Sequence, residues 1–255
     1  MRKEVFVMNI REMDSKELYM YYASIMKELE HFDTPTVTNA LATYPADTEN
    51  CLGLYEPHKT AWYTDERMRC LYPELGPRCG FAVTCVYGVP GMQFSRLSFG
   101  DILEAIEESP KPVILAMKFD APEEYRRKNA MIGDNMLTCF KQLGVTGVVG
   151  DGPARDYRGM QPLNVQCMFT GLTAGHGFMP IEAVNIPVSL CSMDLAPGEV
   201  IHMDENGAVK FSAKYLPDVL ERCKRISEND AKRQAQIRTC VNAEETANAM
   251  KGIYK

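Results

Sequence analysis

The sequence predicts an α/β fold, a single domain with helical additions at both ends, and three observations lead there. The runs VILAMKF from Val113 and VTGVV from Val145 are short, apolar and partly β-branched, as in strands buried on both faces of a parallel sheet. Stretches with apolar residues at helical spacing stand beside them. Late in the chain, GEVIHMD and GAVKFS flank the turn Asp204-Glu205-Asn206-Gly207, and Asn-Gly between two strands is a hairpin signal. With 255 residues and no low-complexity linker, one core is the simplest arrangement.

Taken in order, residues 14–32 read as an amphipathic helix. Asp14 and Glu17 have capping-box spacing, and Leu18, Tyr22, Ile25, Leu29 and Phe32 share a face. A second helix, TVTNAL, follows, with Thr34 able to cap it and Pro35 suited to its first position. Residues 45–78, rich in turn formers, read as a surface loop with short packed pieces around Trp62. Gly80 to Val86 alternates like a strand and is followed by the loop YGVPG, placed to border a pocket. Asp101 to Glu108 reads as a short helix, and DAPEEYRRKN, residues 120–129, as a solvated loop or lid. Further strands are expected at LNVQCMF from Leu163 and IPVSLCSM from Ile186. From Leu216 the pattern is helical, with Val219, Leu220, Cys223 and Ile226 on one face.

Composition narrows the function classes. A net charge of -6, a pI near 5.4 and no basic run of the kind that tracks a phosphate backbone argue against nucleic acid as a partner. Nine cysteines, an odd number without C-x-x-C or zinc-type spacing, read as small apolar residues in a reducing compartment. The N-terminus has no apolar stretch long enough for a signal peptide, and no run approaches a membrane span, so a cytoplasmic protein without a membrane partner is expected. His31, His58 and His202 stand apart in sequence, and no histidine is assigned as a metal ligand.

The chemistry concentrates in Ala130 to Met160. Met136, Leu137, Phe140 and Leu143 fall at helical spacing after Gly133-Asp134, Gly144 is a stop signal, and Val145 to Val149 is a buried strand. A turn, Gly150 to Ala154, then delivers Arg155 and Asp156. A helix of about nine residues is about 14 Å long and a strand of about five is about 16 Å, so the return stroke nearly closes. Asp134 and the Arg155-Asp156 pair should therefore meet, beside helix N–H groups that suit a carboxylate or phosphate. Asp156 can ligate a hard cation such as Mg²⁺. Arg155 can make a two-pronged bond to a carboxylate or a developing enolate. Asp134 can hold a metal-bound water or serve only as the helix N-cap. An Arg-Asp pair after a strand also occurs as a plain surface ion pair, and spacing alone does not choose between these readings.

The pattern Asp134, twenty residues, Arg155-Asp156, with Gly133 before it and the ending G-V-V-G-D-G-P-A-R-D, resembles the 4-hydroxy-4-methyl-2-oxoglutarate aldolases and RraA-like proteins. FDTPTVTNAL resembles that family's N-terminal signature, with Asn39 where an Asp is common, and APGEVIHMDENGAVKF resembles its closing hairpin. In FTGLTAGH, His176 matches some relatives while Thr170 stands where they carry an Arg, a lost cation near the expected site entrance.

The resemblance implies a swivelling β/β/α sandwich over residues 28–212, an N-terminal helical extension over 1–27 and a C-terminal helical tail over 213–255. It implies a homotrimer or homohexamer, and Mg²⁺ or Mn²⁺ on Asp156. It implies substrate on Arg155 and on the backbone of Gly133, Asp134, Asn135 and Met136, with Arg155 and Asp134 as the catalytic pair. Glu228, from a neighbouring subunit's tail, and His176 are the outer candidates. The implied activity is a class II lyase that cleaves a 4-hydroxy-2-oxo acid to pyruvate and can also decarboxylate oxaloacetate. The alternative within the same resemblance is a non-catalytic protein that modulates a partner such as a ribonuclease.

Overall fold

The apolar runs at Val113 and Val145 form the middle of the sheet, and every other element is arranged about them. The computed structural model describes residues 13–44, 47, 49–59, 61–91 and 97–253. The first twelve residues of the expected N-terminal extension lie outside these. In chain order the elements are α1 (Ser15–Leu29), α2 (Thr34–Leu41), β1 (Arg69–Cys70), β2 (Arg78–Tyr87), α3 (Phe99–Glu108), β3 (Val113–Phe119), α4 (Glu123–Lys128), α5 (Asp134–Gln142) and β4 (Val145–Gly150). There follow α6 (Tyr157–Met160), β5 (Gln166–Phe169), β6 (Ile181–Val184), β7 (Val188–Leu190), β8 (Met193–Leu195), β9 (Val200–Asp204), β10 (Gly207–Phe211), α7 (Leu216–Ile237) and α8 (Ala243–Met250).

The sheet runs β1-β5-β4-β3-β2-β9-β10. Strands β2 to β5 are parallel, as their continuous apolar character requires, because both faces are covered. On one face Leu115, Met117 and Phe119 pack with Ile102 and Ile106 of α3 and Leu137 and Phe140 of α5. On the other, Ile114, Ala116 and Val149 pack under Val188, Leu190, Met193 and Leu195 of the β7–β8 hairpin. Hairpin, sheet and helices thus make the β/β/α layering. Strand β2 is buried on both sides instead of alternating. Its outer edge is divided between β9, opposite Arg78 to Phe81, and β6, opposite Cys85 to Tyr87.

Several expectations need correction. The 45–78 stretch is more than a surface loop: Tyr63 bridges Val209 of β10, Arg69 and Cys70 pair with β5, and Trp62 and Tyr72 are buried. The same segment therefore touches both edges of the sheet and nearly closes it. IPVSLCSM is two strands, because Cys191 and Ser192 adopt positive φ (42° and 71°) and turn the chain. Gly207 pairs with Asp204, so the closing hairpin turns on Glu205-Asn206 rather than Asn-Gly. Asp33, not Thr34, caps α2, its carboxylate accepting from the Thr36 amide at 2.9 Å.

A buried polar knot ties α1 and α2 to β9. The His202 imidazole donates from Nε2 to the Leu29 carbonyl (3.1 Å) and accepts at Nδ1 from the Thr34 hydroxyl (3.0 Å), while Asp204 accepts from the Thr34 amide at 2.6 Å. Burial holds the His202 pKa below its ordinary value of 6.5. The folded chain therefore binds this proton less readily than the unfolded chain. The resulting stability is present above pH 6.5 and lost as pH falls through the folded pKa. Urea midpoints should accordingly drop between pH 7.5 and 5.5, and His202→Gln should flatten that slope, since His31, His58 and His176 are exposed. A midpoint independent of pH in the wild type would remove this account of His202.

Candidate active site

The turn after β4 is fixed at its start by Asp151, a buried carboxylate that accepts from the Phe119 amide (2.7 Å) and the Lys118 ammonium (2.6 Å). Beyond it, the Met131 amide donates to Pro153 O (2.8 Å), the Arg155 amide to Ile132 O (3.1 Å) and the Ala154 amide to Gly171 O (2.9 Å). The Ala130 amide donates to Gly175 O at 2.9 Å. These backbone bonds lace the segments 130–133, 151–156 and 170–176 together. Among them lies a 90 Å³ cavity lined by Ala130 to Met136, Arg155, Asp156, His176 and Met179. Asp134 and the Arg155-Asp156 pair do meet, as the lengths of α5 and β4 imply.

Two glycines make the close approach possible. A Cβ on Gly133, the N-cap of α5, would overlap Asp156 Oδ2 and stand 3.3 Å from Arg155 Nε. A Cβ on Gly159 would stand 2.6 Å from Asp134 Oδ2. Each carboxylate therefore occupies the place of a missing side chain across the site. Asp156 itself sits at φ 56°, left-handed, which aims its carboxylate back over α5 and brings Oδ2 within 3.3 Å of Arg155 Nε. Its Oδ1 has no hydrogen bond among the described residues. Asp134 is the first residue of α5 rather than its cap, and its Oδ1 accepts from the Asn135 amide at 2.7 Å. The amides of Asp134 and Met136 make no hydrogen bond among the described residues, so they are open to an anion.

The outer candidates separate. His176 lines the cavity from an exposed loop, its Nδ1 3.2 Å from the Gly177 carbonyl. When that nitrogen donates, Nε2 carries the free lone pair. Glu228 lies on the exposed side of α7 and does not line the cavity of its own chain. Thr170 faces a different, neighbouring cavity, and the Tyr87–Gly91 loop lines neither. The expected lid at 120–129 holds the short helix α4, and Tyr125 there donates to Phe178 O (3.1 Å), tethering the His176 loop. Met131, Ile132 and Met179 complete the apolar wall. The first two fall inside the central stretch without any sequence signal of their own, because apolar side chains read as core wherever they point.

Among the described residues no three His, Cys, Asp or Glu side chains cluster in the manner of a self-contained metal centre. The oxygen donors at this site are a carboxylate with one free oxygen and a second carboxylate nearby. That set fits a hard divalent cation, which takes few protein ligands and retains waters.

A protein-family model described as RraA-like (Aldolase/RraA) matches residues 35–210, more than half of the chain. The chain belongs to the RraA-like family. A stretch of 138 residues is 32% identical to a Halalkalibacterium halodurans protein named "Putative 4-hydroxy-4-methyl-2-oxoglutarate aldolase", covering 53% of this chain and 63% of that one. The match thus spans less than two thirds of the relative's length. Among solved structures, an uncharacterized Pseudomonas syringae protein superposes with a TM-score of 0.64 at 20% identity, over 88% of this chain and 96% of that one. Streptomyces coelicolor RraAS2, described as an unusual member of the RNase ES inhibitor RraA protein family, superposes with a TM-score of 0.60 at 18% identity, over 84% and 96%. At these identities the structures establish the RraA-like fold and no activity. Among the described residues no helix is long and apolar enough to cross a membrane.

Proposed function

We propose that this RraA-like chain is a divalent-metal-dependent carbon–carbon lyase. It releases pyruvate from a 4-hydroxy-2-oxo acid such as 4-hydroxy-4-methyl-2-oxoglutarate, and can decarboxylate oxaloacetate at the same site. The observation that carries this reading is the convergence of Asp134, Arg155, Asp156 and the open amides of α5 in a single cavity. When bound at Asp156, Mg²⁺ or Mn²⁺ supplies Lewis acidity toward the 2-oxo group.

The chain's own groups do the rest. The amides of Asp134 and Met136 hold the substrate C1 carboxylate at the positive end of α5. Asp134 assists removal of the 4-hydroxyl proton, and His176 Nε2 is a second acceptor within the same lining. As that proton leaves, the C3–C4 bond breaks, a carbonyl forms at C4 and the electron pair passes to the 2-oxo oxygen. Arg155 stabilises the resulting enolate, and protonation at C3 yields pyruvate.

The working form is a homotrimer or homohexamer, in which a neighbour's Glu228 reaches the site. Leu172 (54% exposed) and Phe178 (69%), on the loop that forms one wall, offer apolar surface for such a contact. Nine free thiols, most of them buried, suit a reducing cytoplasm.

The test is pyruvate release, coupled to lactate dehydrogenase, from 4-hydroxy-4-methyl-2-oxoglutarate and from oxaloacetate. Turnover should vanish with EDTA and return with Mg²⁺ or Mn²⁺. Absence of metal-dependent pyruvate from either acid would leave the non-catalytic, partner-binding reading in its place.

A further inference from the structure

A second cavity, of about 370 Å³, lies on the other side of the β4 turn and takes no part in the lyase reading. Asp151 and Pro153 line it, two residues or more before Arg155 enters the neighbouring site. Its volume is that of a small-molecule site. Its charge is unusual for a chain of net charge -6: five cations, Arg67, Arg69, Lys118, Arg126 and Arg127, face two acids, Glu123 and Asp151.

Three of the cations are closely paired. Lys118 holds Asp151 at 2.6 Å, Arg67 holds Asp65 at 2.5 Å, and Arg127 pairs with Glu123. Arg69 has no ion pair among the described residues. Arg126 comes no nearer to an acid than 3.6 Å from Asp151, whose oxygens Lys118 and the Phe119 amide already occupy. The Arg126 Nε is enclosed and has no acceptor among the described residues. An enclosed donor without a partner is unfavourable, and a missing ligand is one of the standard explanations for it. The cations also come from separate elements, Arg69 from β1, Lys118 from β3 and Arg126 from α4, so their convergence is not the by-product of a basic run. Thr170 and Ser189 add hydroxyl groups to the wall. The Cys191 thiol there is pushed up to about 11 by burial and brings no negative charge at neutral pH.

We propose that this cavity binds a small dianionic oxyacid, a phosphomonoester or a dicarboxylate, gripped by the guanidinium groups of Arg69 and Arg126. Arg69 has no ion pair among the described residues, and Arg126 is held only loosely, at 3.6 Å from a carboxylate it shares with Lys118, so negative charge is called for at both, and the planar fork of each suits paired oxygens. The site is separate from the one that would cleave a 2-oxo acid, and it stands or falls independently of that reading.

Calorimetric titration of the full chain with glycerol phosphate and with succinate, at an ionic strength matched with KCl, tests it and distinguishes the two sources. At least one probe should bind saturably at one per chain. The affinity should fall tenfold or more in Arg69→Gln and in Arg126→Gln, and be unchanged in Asp156→Asn. Thr170→Glu supplies a second variant, because it places the chain's own carboxylate among the cations: probe binding should disappear while the melting temperature rises. Failure of both probes to bind, binding that survives either arginine variant or Thr170→Glu, or binding lost in Asp156→Asn would overturn the proposal.

Discussion

Gly133→Ala is expected to lower kcat/KM for pyruvate release by roughly 10²-fold while the chain stays folded, because displacing a reacting group by about 1 Å costs that much. The backbone itself would not object: Gly133 sits at φ -136° and ψ -175°, an extended conformation open to alanine. The obstacle is the added methyl, which would overlap Asp156 Oδ2 and stand 3.3 Å from Arg155 Nε. A carboxylate at the end of one rotatable arm can swing aside, so the cost should appear in substrate turnover and metal affinity and not in stability. Steady-state kinetics with thermal melting of the same preparation separate the two. An alanine variant with unaltered kinetics would mean that Asp156 does not work from the position it occupies.

Arg155→Ala and Asp156→Asn should each remove turnover more completely. Losing a donor aimed at a developing oxyanion costs about 10²–10³ in kcat. Arg155→Lys should recover little of this, because an ammonium lacks the planar fork that meets two oxygens. Asp156→Asn keeps the shape of the side chain and removes its charge, so a hard cation loses its ligand in a structure that has barely changed. Neither residue belongs to the core: their side chains are 36% and 35% exposed. Both variants should therefore melt close to the wild type, and an activity unaffected by Asp156→Asn would end the metal-dependent reading.

The meeting of Asp134 with Arg155 and Asp156 was legible because it follows from two lengths, those of α5 and β4, and from a parallel sheet that returns each strand to the same end. The central strands were equally legible, since burial on both faces leaves a continuous apolar run. Where the reading failed, the missing information was three-dimensional. Cys191 and Ser192 turn the chain at positive φ without the Gly, Asn or Asp that ordinarily signals such a turn. Trp62 and Tyr72 look like loop aromatics until the segment that runs between the two sheet edges buries them. The cationic cavity draws its cations from the segment at β1, from β3 and from α4, so its one contiguous trace in the sequence, Arg126-Arg127, reads as a wet helix face. Thr170, which stands where some relatives carry an Arg near the expected site entrance, lines that other cavity beside Arg69 and Arg126.

The central claim is that Asp156, Arg155 and the start of α5 hold a divalent cation and a 2-oxo acid together. Titration of Mn²⁺ followed by electron paramagnetic resonance, with and without oxalate as a mimic of the pyruvate enolate, tests it without relying on turnover. One Mn²⁺ should bind per chain, more tightly in the presence of oxalate, with Asp156→Asn abolishing the ion's binding and Arg155→Ala abolishing only the effect of oxalate. Mn²⁺ binding that is indifferent to both substitutions would contradict the account.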